Sequence, residues 1–211
     1  MKKKVIFFGD SITENGGASH PDNAYNHLIA AQGEYDVFTA GCGGSRLTRV
    51  KEPAPFHRFN MDFNTRVHVL PKNCDYIVVF GGTNDYGGGV PLGELGDDTV
   101  YTLAGAMKRL IEILILMYGK EKIRFALPLK RYNCDKPSEK GTLPMIDYVN
   151  KMREVLNHYE IPYLDLYELG PDAPLDEEKH GYFADGLHPT DLGHALIAKE
   201  MVKFLKETEN K

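Results

Sequence analysis

Short apolar runs alternate with segments of helical periodicity along almost the whole chain. Five runs read as strands: KVIFFG (4–9), YDVFTAG (35–41), DYIVVFGG (75–82), KIRFALPL (122–129) and IPYLDLY (161–167). All are short and mostly apolar, as expected of strands covered by helices on both faces. Between them apolar residues return at steps of three and four. From Thr99 to Tyr118, the residues Val100, Leu103, Met107, Leu110, Ile111 and Leu114 fall on one face, and Gly119 is a fitting stop. A second helix is predicted from Pro144 to Tyr159, with Pro144 in its first turn. A third begins near Pro189-Thr190, turns Leu192, Ala195, Leu196, Met201, Val202 and Leu205 inward, and is expected to fray over KETENK. A weaker helical pattern covers 23–32, and irregular stretches run over 41–71, 86–98 and 169–187. The alternation predicts an α/β layer fold around a parallel sheet of five strands.

Composition narrows what such a fold is for. The chain has 211 residues, of which 42% are hydrophobic, enough for one well-packed domain spanning 1–211. Its net charge of −5, with acids and bases intermixed, gives no basic face, so no nucleic-acid partner is expected. The apolar run Val5 to Phe8 is too short for a signal peptide and Asp10 interrupts it. No stretch is long enough to span a membrane, so a cytoplasmic protein with no membrane partner is expected. Cys42, Cys74 and Cys134 are odd in number and form no C-x-x-C pair, which argues against a disulfide framework or a zinc site.

In a parallel sheet, ligands bind outside the carboxyl ends of the strands. There this sequence places Gly9-Asp10-Ser11-Ile12-Thr13, Gly41-Cys42-Gly43-Gly44-Ser45 and Gly81-Gly82-Thr83-Asn84-Asp85, with Asp185-Gly186-Leu187-His188-Pro189 before the last helix. Each alone has an ordinary reading as a helix cap or tight turn. Together they supply a nucleophile, a base, an orienting acid and hydrogen-bond donors. A serine hydroxyl must lose its proton as it attacks, a task suited to the imidazole of His188. Asp185, three residues earlier, can fix the tautomer of that ring. Asp10 is less suited, because a residue adjacent to Ser11 is poorly placed to orient a base on the far side of it. Charge developing on a carbonyl oxygen needs donors already in place, and the Gly44 N–H, the Asn84 amide and the Ser11 N–H are candidates.

Gly9-Asp10-Ser11, Gly44 within AGCGGS, Gly82-x-Asn84-Asp85 and Asp185-x-x-His188-Pro189 resemble the four blocks of the SGNH (GDSL-type) hydrolase family, in order and spacing from residue 9 to 189. The resemblance implies a three-layer α/β/α, flavodoxin-like fold and hydrolysis of esters or thioesters through an acyl-serine. Carried over, Ser11 is the nucleophile, Ser11, Gly44 and Asn84 form the oxyanion hole, and Asp185 and His188 complete the triad. No cofactor or metal is implied. In the second block the family's Asn is replaced by Thr39.

Rival readings are weaker. None of the four serines lies in the G-x-S-x-G frame of an α/β-hydrolase. A nucleotide-binding module would require G-x-G-x-x-G or a glycine run followed by Lys-Ser/Thr. A metal hydrolase built from Asp185, His188, Asp191 and His194 lacks H-E-x-x-H, and His194 reads instead as an exposed helix residue. Substrate contacts are expected from aromatic residues of the irregular segments, Phe56, Tyr86, Tyr132 and Tyr182, with Phe183 beside the last. A small-molecule ester is the expected partner, and a short acyl group on a carbohydrate is favoured over the long chain of a thioesterase or lysophospholipase.

Overall fold

The computed structural model describes residues 2–52, 60–170 and 181–209. Five parallel strands, β1 (Lys3–Gly9), β2 (Tyr35–Gly41), β3 (Tyr76–Phe80), β4 (Ile123–Leu127) and β5 (Tyr163–Asp165), lie in the order β2-β1-β3-β4-β5. Successive side chains of a strand point to opposite faces. Ile6 and Phe8 therefore join Ile77, Val79 and Phe125 in a buried cluster with helices α4 (Leu103–Tyr118) and α5 (Met145–His158). Val5 and Phe7 join Val78, Phe80 and Ala126 on the other face, against α1 (Tyr25–Ala31) and α7 (Asp191–Glu207). This is a three-layer α/β/α arrangement with the flavodoxin-like strand order.

The elements differ from expectation where local side chains intervene. Strand β2 is not covered on both faces: it lies at the sheet edge, and Phe38 is 46% exposed. β5 is cut short because Asp165 caps the next helix, α6 (Leu166–Leu169), by accepting the Glu168 N–H. The irregular stretch 41–71 contains a short helix, α2 (Phe63–Arg66), and another, α3 (Thr83–Gly87), follows β3 and reaches into the stretch 86–98. α4 begins at Leu103 because Thr102 caps it through the Gly105 N–H, which leaves Val100 ahead of the helix. Pro144 is the extended cap residue of α5 rather than part of its first turn.

α7 buries Met201 and Leu205 and packs Val202 against the core as expected, but its first turns present a different face. His194, Ile197, Ala198, Met201, Phe204 and Leu205 are buried, while Leu192 is 62% exposed and Ala195 is also exposed. Its end does not fray at Lys206. Thr208 is buried and receives hydrogen bonds from Arg124, a buried cation within β4, and Glu209 pairs with Lys3.

Candidate active site

Register brings the chemistry together. Gly9 pairs with Gly41 on one side and Phe80 on the other, so the segments after β1, β2 and β3 emerge side by side where the winding of the sheet reverses. After β1 the chain turns back on itself through Glu14 N–H to Asp10 O (3.0 Å) and Gly16 N–H to Ser11 O (2.7 Å). Two glycines of this turn are required by crowding. A Cβ on Gly16 would lie 2.8 Å from His188 Cδ2, and one on Gly17, which has φ +90°, would lie 2.2 Å from the Pro189 carbonyl oxygen. Their bareness lets the segment carrying His188 close down on Ser11.

His188 Nε2 lies 3.0 Å from Ser11 Oγ, and His188 Nδ1 lies 2.8 Å from Asp185 Oδ2. The other Asp185 oxygen accepts the His188 N–H (2.7 Å) and the Leu187 N–H (3.0 Å), so one carboxylate holds both the ring and the turn beneath it. Burial alone would raise the Asp185 pKa, but these hydrogen bonds outweigh it and keep the group below the ordinary carboxylate value. A carboxylate on Nδ1 fixes a neutral ring with its lone pair on Nε2, the atom facing the serine hydroxyl.

Beneath the loop that follows β2 lies a set of struts, of which Asp85, Ser45 and Arg66 are buried. The Asn84 Nδ2 group donates to Ser45 O (3.0 Å), leaving its second proton a long 3.5 Å contact with Asp10 Oδ2. Asp85, fully buried, accepts the N–H groups of Leu47 (2.9 Å) and Thr48 (3.0 Å) and the Thr48 hydroxyl (2.8 Å). Arg66, 7% exposed, donates to Gly9 O and Ser45 Oγ (both 2.9 Å) and to Ala40 O, tying β1, β2 and the loop together. Glu14 accepts the Gly43 N–H (2.7 Å). Thr39, in the place of the family's Asn, accepts a bond from Asn26 Nδ2 (2.9 Å), which joins β2 to α1. Gly44 turns the loop at φ +75°, and neither its N–H nor that of Ser11 bonds to the described residues.

The remaining expectations divide. Asp10 is buried, and its Oδ1 accepts the Ile12 N–H (3.0 Å), so it shapes the turn. Burial drives its pKa up to about 7, although that hydrogen bond pulls the other way. His194 is a correction. It is fully buried, accepting the Tyr25 N–H at Nδ1 (3.2 Å) and facing Gly16 O with Nε2 (3.0 Å), so its ring supports the turn after Ser11 from below. Asp191 bonds to Ser19 and Asn23, and among the described residues no group of His, Cys, Asp and Glu is placed to hold a metal ion. Tyr86 is 3% exposed, its ring packs edge-on against Tyr148 and its hydroxyl faces the carbonyls of Asn133 and Lys136, while the residue also lines a cavity with Arg131 and Tyr132. Phe183 is buried in the α7-side cluster rather than at the rim. Tyr132 and Tyr182 are 49% and 42% exposed. Phe56 lies outside the described residues.

A flavodoxin-like sheet with a hydroxyl, an imidazole and a carboxylate in line at its carboxyl rim has the architecture of an ester hydrolase. The GDSL-like lipase/acylhydrolase family matches residues 7–196, and the chain belongs to that family, which makes it a hydrolase of carboxylic esters. One solved structure superimposes with a TM-score of 0.86 at 29% identity, covering 98% of this chain and 97% of the other. A protein from Lactobacillus plantarum gives 0.82 at 27% identity, again over 98% and 97%. An acetyl xylan esterase gives 0.64 at 22% identity over 95% of this chain and 98% of its own, a likeness of fold. No curated protein sequence matches the chain significantly. Among the described residues no helix is long and apolar enough to cross a membrane.

Proposed function

We propose that the protein is a serine esterase that removes short acyl groups, acetyl above all, from a carbohydrate or another small ester. Ser11 Oγ attacks the ester carbonyl while His188 Nε2 takes its proton. The tetrahedral species collapses, the alcohol leaves with that proton, and the acyl group stays on Ser11. Water activated by the same imidazole then releases the acid, with Asp185 holding the ring in its working tautomer throughout. The negative charge on the carbonyl oxygen is met by the N–H groups of Ser11 and Gly44 and by the loosely held second proton of Asn84 Nδ2.

The observation that carries this reading is the unbroken relay of 3.0 Å from Ser11 to His188 and 2.8 Å from His188 to Asp185. Support for a short acyl group comes from the adjoining cleft of about 360 Å³, whose described walls include Gly44 and Asn84 but only Val50 and Leu187 as aliphatic side chains. A long alkyl chain is better held by a predominantly apolar lining. A sugar suits the exposed rings of Tyr132 and Tyr182, since aromatic faces stack on pyranose rings, and the fold likeness to an acetyl xylan esterase agrees with it.

A p-nitrophenyl ester series from acetate to palmitate tests the reading, with kcat/KM expected to be greatest at the short end. A maximum at long chains would overturn it. Ser11→Ala is expected to lower kcat by about four to six orders of magnitude while leaving the fold intact. An active Ser11→Ala protein sinks the proposed nucleophile.

A further inference from the structure

We propose that the cleft beside Gly44 and Asn84 is an anion subsite, and that the preferred substrate is an ester whose body carries a carboxylate or phosphate. This rests on the esterase reading above and names the class of ester. The cleft wall joins Gly44, Asn84 and Leu187 to three cations, Arg46, Arg131 and Lys140, and among the described residues it includes no carboxylate. That local excess runs against the sign of the whole chain, whose net charge is −5.

None of the three cations forms a salt bridge with the described residues. Arg131 makes one long contact, Nη1 to Thr83 O at 3.4 Å, and its guanidinium lies 5.5 Å from the Tyr86 ring centre, which leaves most of its donors unused. Two acids that act electrostatically on these cations already have partners. Asp85, which acts on Arg46, accepts three hydrogen bonds from Leu47 and Thr48. Asp185, which acts on Arg131, is held by His188 and Leu187. Glu139, exposed beside Lys140, lines the adjoining cavity and forms no salt bridge with Arg131 or Lys140. Gathering like charges is unfavourable unless an anion occupies the space between them.

The sequence builds room for this cluster with Gly87-Gly88-Gly89, a run that the reaction itself does not require. A Cβ on Gly88 would fall 2.5 Å from Arg46 Cζ, and one on Gly87 would fall 3.2 Å from Arg131 Nη1. At Gly89, with φ +62°, a Cβ would meet the Lys140 carbonyl oxygen at 2.2 Å. Bare backbone after Asn84 is thus what lets two guanidinium groups and the Lys140 segment close on one place. Gly88 N–H bonds to Asn84 O (2.9 Å), and Arg46 lies two residues after Gly44, so the cations are fixed relative to the proposed oxyanion donors. A guanidinium fork matches the paired oxygens of a carboxylate or phosphate.

Matched ester pairs test this. Mono-4-nitrophenyl glutarate against 4-nitrophenyl valerate places the anion on the acyl part. Acetylated glucuronate against acetylated glucose, and acetylated glycerol 3-phosphate against monoacetylglycerol, place a carboxylate or a phosphate on the alcohol part. The anionic member of at least one pair is expected to have a kcat/KM about tenfold higher or more, and added NaCl should shrink that ratio. The ratio should fall towards one in the Arg46→Gln/Arg131→Gln double variant, while Arg131→Lys keeps part of it. Should the double variant fail to fold, Lys140→Gln alters an exposed side chain and is expected to lower the same ratio. Neutral esters preferred in every pair, or an anionic preference that survives these substitutions, would refute the subsite while leaving the esterase reading standing. Failure of the wild-type protein to hydrolyse any of the esters removes that reading and the subsite with it.

Discussion

On one side of Ser11 the site rests on side chains buried in the fold; on the other it hangs from a turn that faces solvent. Asp85 and Ser45 are fully buried and Arg66 is 7% exposed, and together they fix the loop that carries Gly44. The His188 and Asp185 side chains are 26% and 55% exposed. Their turn is held by its own hydrogen bonds, among them Ala184 N–H to His188 O (2.8 Å) and the two N–H groups bonded to Asp185. Polar groups in the buried half are costly to leave unpaired, so that half is part of the stability of the fold. The exposed half needs geometry more than stability. Damage to the buried side should therefore lose folding and activity together, and damage to the exposed side should lose activity alone.

Asp185→Asn is the sharpest way to break that contrast. An amide presents the wrong partner to His188 Nδ1 and favours the wrong tautomer, so kcat should drop by about four orders of magnitude. Stability should change by less than about 1 kcal/mol, because the contact is exposed to solvent and an amide oxygen can still accept the Leu187 and His188 N–H groups. Steady-state kinetics together with urea titration would decide it, and a large loss of stability would mean that the turn is as integral to the fold as the loop beneath Gly44.

Asp85→Ala should behave in the opposite way. It strands two buried N–H groups and a hydroxyl, each costing about 1 to 3 kcal/mol when left unpaired, so a loss of roughly 3 kcal/mol or more is expected. Activity should fall with it as the loop carrying Gly44 loosens. An Asp85→Ala protein with wild-type stability but no activity would argue that Asp85 meets substrate rather than supporting the loop.

The same division governs how much could be read from the sequence. Ser11, Gly44 and Asn84 follow directly from strand ends, and Asp185 and His188 sit three residues apart before a helix, so each was legible from local spacing. The struts were not, because they act across long separations. Arg66 reaches Gly9, 57 residues away, and Asp85 reaches Leu47 and Thr48 across 38 and 37 residues. A lone arginine between Phe63 and Val67 at helical spacing was the available hint that Arg66 faces inward. His194 was hidden by its neighbours. In the first turns Leu192, Ala195 and Leu196 offer an apolar stripe while the buried face carries Gly193 and His194, and the pairing of the His194 ring with Tyr25 and Gly16 overrides that preference. Thr39 shows the reverse case, a departure from the family pattern whose hydroxyl still accepts a bond from Asn26.

A dependence on pH separates the two carboxylates that flank Ser11. Burial raises the Asp10 pKa from 3.8 to about 7, whereas hydrogen bonds hold Asp185 below its ordinary value. Between pH 3.8 and about 7 the folded protein keeps a proton on Asp10 that the unfolded chain has released. The unfolded state then binds fewer protons, so the Asp10 contribution to stability declines as pH rises through that window and levels off above it. Asp185 carries the opposite sign: its contribution is present above the unfolded pKa and is lost as pH falls through the folded one. An asparagine at position 10 does not titrate. The stability of Asp10→Asn relative to wild type should therefore climb with pH between about 4 and 7 and stay constant beyond. The other histidines are common to both proteins and cancel in that difference, whereas His188, whose charge acts on Asp10, adds to it; chemical denaturation across the range can measure the sum. A flat difference would mean that Asp10 ionises freely, and the buried side of Ser11 would then be no drier than the turn that carries His188.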